Sequence, residues 1–161
     1  MVTLAVTGHM DLTEESLPLV KAALRELLGT YREGLVGLSC IAAGSDSLFA
    51  EAVLEAGGRL VVVLPSRDYR RAKVKPDHAR LFDRLHAAAD EVLVMPFETA
   101  NRRAYEAANE ILLKRADRLV AVWNGSPPSG KGGGTADVVL DARGAGLPVD
   151  VVWPAGAERA S

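Results

Sequence analysis

Apolar residues along the chain form two kinds of pattern. Six short runs rich in Val and Leu are apolar nearly throughout, and the stretches between most of them repeat apolar residues at helical spacing. Continuous apolar runs are typical of parallel strands that are covered on both faces. The runs predict strands at residues 3–7, 35–40, 59–64, 91–95, 118–123 and 149–153.

The stretches between the strands predict helices, and their order predicts the fold. They lie at residues 16–29, 47–57, 76–89, 100–115 and 136–145. Strands that alternate with helices form βαβ units with right-handed crossovers. We therefore expect an α/β protein with a single Rossmann-like, doubly wound, mainly parallel sheet and helices on both faces. With 161 residues, 48% of them hydrophobic, the chain fits one domain, residues 1–154, followed by a flexible tail, residues 155–161.

The loops at the carboxyl ends of the strands are the expected place for a ligand, because open α/β sheets bind ligands there. Gly8 permits close approach of the backbone, and His9 either donates to a phosphate or a base or is structural. Asp46 is a ligand candidate or a helix cap. Other candidates at these strand ends are Gly44, Ser45, Pro65, Arg67 and Glu98.

The most informative loop is WNGSPPSGKGGGT, residues 123–135, which joins an apolar run to an amphipathic segment. Backbone amides freed by glycines beside the positive end of a helix bind phosphate-like anions. Two alternatives to anion binding remain: the loop is only a flexible connection, or Thr135 only caps the helix. The candidate binding residues in this loop are Asn124, Gly125, Gly132, Gly133, Gly134 and Thr135.

The same loop nearly matches a Walker A motif. Gly125 is followed, after four intervening residues, by Gly130 and Lys131, but Gly132 occupies the position of the Ser or Thr that holds Mg²⁺. A P-loop nucleotide hydrolase is therefore not expected.

Composition and charge exclude several classes. A net charge of −2, a pI of about 5.9 and 5% aromatic residues argue against nucleic-acid binding. No Cys, His or carboxylate cluster has metal-ligand spacing, so no metal is expected. Cys40 is the single cysteine, and no signal peptide or run of membrane-spanning length is evident, which predicts a cytoplasmic protein without membrane contact.

One basic segment, RDYRRAKVK at residues 67–75, directly follows a predicted strand. It is either a solvated loop or a lid in which Arg67, Arg70 and Arg71 close over an anion.

The order of these motifs resembles the SLOG superfamily, the Rossmann-like proteins related to DprA and the LOG proteins. The resemblance rests on Gly8-His9, on AAGSD after the second strand, on the proline that ends the third and on WNG followed by GGGTADVV. It implies a domain that binds nucleotides or nucleotide-derived ligands, with Gly132 to Thr135 as the phosphate-binding turn. It also implies a homo-oligomer.

The chain departs from the enzymatic branch that it resembles. LOG phosphoribohydrolases carry PGGxGTxxE, and alignment on Gly134-Thr135 places Val138 at the glutamate position. Asp137 is one residue away, about 100° around the helix. The sequence therefore favours a sensor or accessory protein with a bound nucleotide and no established cofactor. The alternative is a hydrolase or transferase acting at the glycosidic bond of nucleoside 5'-monophosphates, with Asp46, Glu98 and Asp137 as candidate acids.

Overall fold

The computed structural model describes residues 1–31 and 33–160, in which strands and helices alternate. All six predicted strands are present, each within about two residues of its predicted ends. A short helix, α3, lies inside the basic segment, where the sequence predicts a loop. The elements are β1 (Val2–Gly8), α1 (Ser16–Leu28), β2 (Leu35–Ser39), α2 (Ser45–Glu55), β3 (Arg59–Leu64), α3 (Tyr69–Lys73), α4 (Pro76–Ala88), β4 (Glu91–Val94), α5 (Arg102–Arg115), β5 (Arg118–Val122), α6 (Thr135–Gly144) and β6 (Val149–Val152).

The strands form one sheet in the order β4-β3-β2-β1-β5-β6, and every pairing is parallel. The predicted α/β fold is confirmed. After β1 the chain builds β2, β3 and β4 on one side, and then crosses back to place β5 on the other side of β1. The loops that follow β1 and β5 therefore diverge at the carboxyl edge, where such sheets form a ligand crevice.

Helices cover both faces of the sheet, which explains why the strands are apolar nearly throughout. Leu4 and Val6 of β1 pack against α1 and α2, whereas Ala5 packs against α5 and α6. A third cluster joins β3 to α2, α3 and α4 through Leu60, Val62 and their neighbours. Burial on both faces fixes the strands and therefore fixes the positions of the loops at their carboxyl ends.

The tail contacts the loop between β1 and α1. The backbone N–H of Ala160 donates to the carbonyl of Asp11 at 2.6 Å, and Leu12 and Arg159 form an antiparallel bridge. The backbone N–H of Glu158 also donates to the hydroxyl of Ser16 at 2.7 Å. These contacts tie residues 158–160, which the sequence predicts to be flexible, to the domain.

Among the described residues, no helix combines the length and the apolar character that crossing a bilayer requires.

Candidate functional site

A cavity of about 550 Å³ opens at the carboxyl edge of the sheet, beside the divergence of β1 and β5. Its volume is in the range of small-molecule sites. The loops after β1, β2 and β5 line it together with Pro65, α3, α5, the first turn of α6 and Arg159. Predicted site residues that line it are Gly8, His9, Asp46, Pro65, Gly133, Gly134, Thr135 and Asp137. Predicted site residues outside the lining are Gly44, Ser45, Arg67, Glu98, Asn124, Gly125 and Gly132.

The turn after β1 is held against the start of α2. The hydroxyl of Ser45 donates to the carbonyl of His9 at 2.7 Å, and the backbone N–H of Ser45 donates to the same oxygen at 3.3 Å. A Cβ at Gly8 would lie 2.5 Å from the Cβ of Ser45, so only glycine permits this approach. Ser45 therefore lies behind the cavity and positions its wall.

Gly44 has a structural role in the same turn. Its φ of 79° and ψ of −127° are a backbone conformation that favours glycine. A Cβ there would lie 2.6 Å from the carbonyl oxygen of Met10. Gly44 thus allows α2 to begin directly against the β1 turn.

His9 connects the two strand ends that flank the crevice. Its side chain is buried, and its Nε2 lies 3.1 Å from Oδ1 of Asn124 and 3.2 Å from the backbone nitrogen of the same residue. Its ring meets that of Trp153 edge to face at 5.6 Å. Burial, together with the positive charge of Arg159, lowers the pKa of His9, so the ring is neutral at pH 7. Asn124, although outside the lining, thereby helps to fix the orientation of His9.

The first turn of α2, beside the β2 loop, contributes the carboxyl group of Asp46 to the wall. Burial raises the pKa of Asp46 to about 7, and the backbone N–H of Ala42 partly offsets that effect. Burial also raises the pKa of the neighbouring Cys40 thiol and of the Tyr69 hydroxyl, and both groups stay protonated. This wall is therefore polar, with one group that titrates near neutral pH.

The first turn of α6, which follows β5 on the other side of β1 from β2, also lines the cavity. Gly134 is the N-cap residue and Thr135 the first helical residue, and Oδ2 of Asp137 accepts a hydrogen bond from the Gly134 N–H at 3.0 Å. Among the described residues, no acceptor binds the backbone N–H groups of Thr135 and Ala136. Such groups at a helix N-terminus can bind an anion.

Charged groups of both signs surround the cavity. Lys73 and Arg159 supply positive charge, while Asp11 and Asp137 add carboxylates to that of Asp46. Nε of Arg159 lies 2.9 Å from Oδ1 of Asp11. Burial alone would raise the pKa of Asp11, but hydrogen bonds, above all that from Arg159, lower it overall.

The basic segment divides between two cavities. Arg67 pairs with Glu98, and Arg70 makes two hydrogen bonds of 2.7 Å to Asp83. Both arginines line a second cavity of about 530 Å³ on the side of α4. Tyr69 and Lys73 of α3 line the first cavity instead, so this segment reaches the site through those two residues.

Several lining residues are not among the individual site residues that the sequence predicts. Tyr105, Asn109 and Leu112 lie on one side of α5, and their spacing of four and three residues was an available signal. Met10 and Asp11 follow directly after Gly8-His9. Arg159 carried no signal, because only tertiary contacts bring the tail to the site. In the described residues, no group of three or more His, Cys, Asp or Glu side chains could hold a metal ion.

Comparison with known proteins supports the fold. No family model matches the sequence, and no curated protein matches it significantly. The structure is similar to that of DNA processing protein A (DprA) from Streptococcus pneumoniae, with a TM-score of 0.70 and 19% identity over 97% of this chain and 52% of that chain. This chain therefore spans about half the length of that protein.

Two further structures have the same architecture. DprA from Helicobacter pylori, whose structure describes a single-stranded DNA binding mode, aligns with a TM-score of 0.68 and 17% identity over 98% of this chain and 68% of its own. The molybdenum cofactor carrier protein of Chlamydomonas reinhardtii aligns with a TM-score of 0.57 and 22% identity over 93% and 75%. The chain therefore shares the Rossmann-like fold of these proteins.

These neighbours correct one prediction. The acidic balance of the chain argues against nucleic-acid binding, but the Helicobacter protein with this fold binds single-stranded DNA. Net charge is a sum over the whole surface, whereas binding depends on the local field. Exclusion of nucleic acid on the basis of net charge is therefore wrong.

Proposed function

We propose that this chain binds a nucleotide or a nucleotide-derived small molecule in the cavity at the carboxyl edge of the sheet. The observation that carries the proposal is the first turn of α6. Thr135 and Ala136 line the cavity there, and no acceptor among the described residues binds their backbone N–H groups. A phosphate there would accept hydrogen bonds from these groups and interact favourably with the helix dipole.

The surroundings of that turn fit the same ligand class. The cavity is large enough for a nucleoside monophosphate, and Lys73 and Arg159 provide cationic groups for an anion. Asp46 lies in a different part of the same cavity from the first turn of α6. The phosphate and the heterocycle of a nucleotide would therefore each have a polar group to contact.

The arrangement favours binding over cleavage of the glycosidic bond. Val138, at the position of the LOG glutamate, is 2% exposed and packs in the core. Asp137 is engaged in capping α6, and Glu98 pairs with Arg67 outside the cavity. Asp46 is the remaining candidate acid, and Nε2 of His9 in the same lining is hydrogen-bonded to Asn124. A sensor or accessory role is therefore our proposal.

Calorimetry of the purified chain against nucleoside mono- and diphosphates, nucleosides and a single-stranded oligonucleotide tests the proposal. Gly134→Asp should weaken phosphate-dependent binding by about tenfold or more, because it adds a negative charge at the helix N-terminus. Gly134→Ala is the matched control: the φ of Gly134 is −79° and a Cβ there has room. Equal affinities for the wild type and Gly134→Asp would contradict this site.

A chromatographic assay for free base separates binding from catalysis. We expect no efficient release of base from nucleoside monophosphates, since loss of a positioned acid or base costs about 10²- to 10⁴-fold in rate. Rapid release that Asp137→Asn abolishes would favour the hydrolase alternative.

A further inference from the structure

Asp46 has an unusual position for a carboxyl group in this cavity. It lies in the first turn of α2 and lines the cavity beside the β2 loop, and none of the ion pairs among the described residues includes it. The backbone N–H of Ala42 donates to this carboxyl group, and a ligand can satisfy its remaining acceptor positions.

The groups near Asp46 suit a flat heterocycle. Tyr69 and Tyr105 line the same cavity, and their rings meet edge to face with centroids 6.4 Å apart. Cys40 and Asn109 complete this part of the lining with a neutral thiol and a neutral amide. A planar ring could pack against the tyrosines while its polar edge reached the carboxylate.

The geometry of a carboxylate selects among such rings. Its two oxygens accept a pair of adjacent, parallel N–H groups. Guanine offers that pair, N1–H and the exocyclic 2-amino group, on its Watson–Crick edge. Adenine and cytosine offer a donor beside a ring nitrogen that is itself an acceptor, so one carboxylate oxygen would face a lone pair.

We propose that Asp46 binds the Watson–Crick edge of a guanine-type base and makes the cavity selective for guanine nucleotides over adenine nucleotides. This inference rests on the proposed function, because it assigns the base-recognition part of the same cavity. The phosphate would then lie at the first turn of α6, away from the Asp46 wall.

The protonation state of Asp46 supplies a second signature. With a pKa of about 7 that burial causes, the free carboxyl is mostly protonated at pH 6 and mostly ionised at pH 8. Only the ionised form accepts both guanine N–H groups, so the preference for guanine should increase with pH. The other titratable or charged groups near it are Cys40, Tyr69, Tyr105, His9, Asp11, Lys73, Asp137 and Arg159 around the cavity and His78 of α4, which contacts Ser47.

Calorimetry with GMP and AMP at pH 6, 7 and 8 tests the inference on the full chain. We expect GMP to bind about 10- to 100-fold more tightly than AMP at pH 8, and the ratio of their affinities to fall about tenfold by pH 6. The ratio isolates the base, because both ligands carry the same titrating phosphate. Asp46→Asn should reduce the ratio to one or below at every pH, because its amide presents one acceptor and one donor in place of two acceptors.

Asp141→Asn, an exposed change on α6, is the control for loss of a negative charge and should keep the ratio. Equal binding of GMP and AMP, a preference for AMP, or a ratio that persists in Asp46→Asn would overturn the inference and leave the proposed function standing. If neither nucleotide binds to the wild type, the proposed function fails, and the inference fails with it.

Discussion

Asp137 and Gly134 are joined across the first turn of α6, where the carboxylate oxygen Oδ2 lies 3.0 Å from the Gly134 nitrogen that donates to it. The contact stabilises the start of the helix, because it satisfies one of the N–H groups that a helix leaves unpaired. It also brings a negative charge to the place where we propose that a phosphate binds. Capping and anion binding therefore compete at this turn.

That competition predicts opposite effects of Asp137→Asn on binding and on stability. The affinity for a nucleoside monophosphate should rise about three- to tenfold, because the change removes a like charge near the phosphate. The free energy of unfolding should fall by about 0.5–1 kcal/mol, because a weaker cap replaces the carboxylate. Calorimetry and urea denaturation measure the two effects, with Asp141→Asn as the control. Weaker binding in Asp137→Asn would show that the carboxylate assists the ligand.

The contact between α2 and the β1 turn predicts a severe effect of Gly44→Ala. We expect the free energy of unfolding to fall by about 3 kcal/mol or more, because backbone strain and a 2.6 Å approach to the Met10 carbonyl act together. Gly57→Ala is the matched control, since Gly57 has a φ of 77° but open space around its Cβ position. It should cost only about 1 kcal/mol. If urea denaturation shows the same loss of unfolding free energy for both variants, the positive φ alone explains why position 44 requires glycine, and the close approach to the Met10 carbonyl does not contribute.

Asp46 should make the stability of the protein depend on pH. Its folded pKa of about 7 lies above the ordinary value of 3.8, so the folded state holds the proton more tightly between those values. The resulting stabilisation is fully present below about pH 4 and is lost as the pH rises through 7. Asp46→Asn should therefore gain stability relative to the wild type between pH 5 and pH 8, by about 2–3 kcal/mol.

Urea denaturation of both proteins at pH 5, 6, 7 and 8 checks that prediction. Subtraction of the unfolding free energies of the two proteins at each pH removes the contribution of all groups whose titration Asp46 does not affect. A difference that stays constant with pH would contradict the raised pKa.

The division of the basic segment predicts which of its cations matter for a ligand. Lys73→Gln should weaken nucleotide binding about two- to fivefold at low ionic strength, because Lys73 lines the first cavity. Arg70→Gln should leave binding unchanged, because Arg70 pairs with Asp83 beside the second cavity. Calorimetry at two salt concentrations compares the variants. A larger loss with Arg70→Gln would restore the hypothesis that the arginines form a lid.

The sheet was predictable because burial on both faces makes a parallel strand continuously apolar. Residues 59–64 illustrate this: both ends of the predicted run coincide with those of β3. The helix α3 was missed because its five residues include three basic ones and carry no apolar repeat. Its single buried residue, Tyr69, gains its environment from Phe82 and Tyr105, which are distant in sequence.

The sequence could predict only those residues of the candidate site that lie at the ends of strands or the starts of helices. Gly8, Asp46 and Thr135 follow strands or begin helices, and they line the cavity. The role of Ser45 depends on how closely α2 approaches β1, which no local pattern encodes. The same holds for Asn124, whose side chain meets His9 from the neighbouring strand.

The bridge between Leu12 and Arg159 has a practical consequence for biochemical work. It brings Arg159 into the lining of the cavity, whereas Met1 precedes β1 and lies at the opposite edge of the sheet. An affinity tag, a fluorophore or a surface linkage attached to this segment would lie beside the proposed binding site. Attachment before Met1 places it at the far edge of the sheet, so an N-terminal fusion is the suitable format for every titration described above.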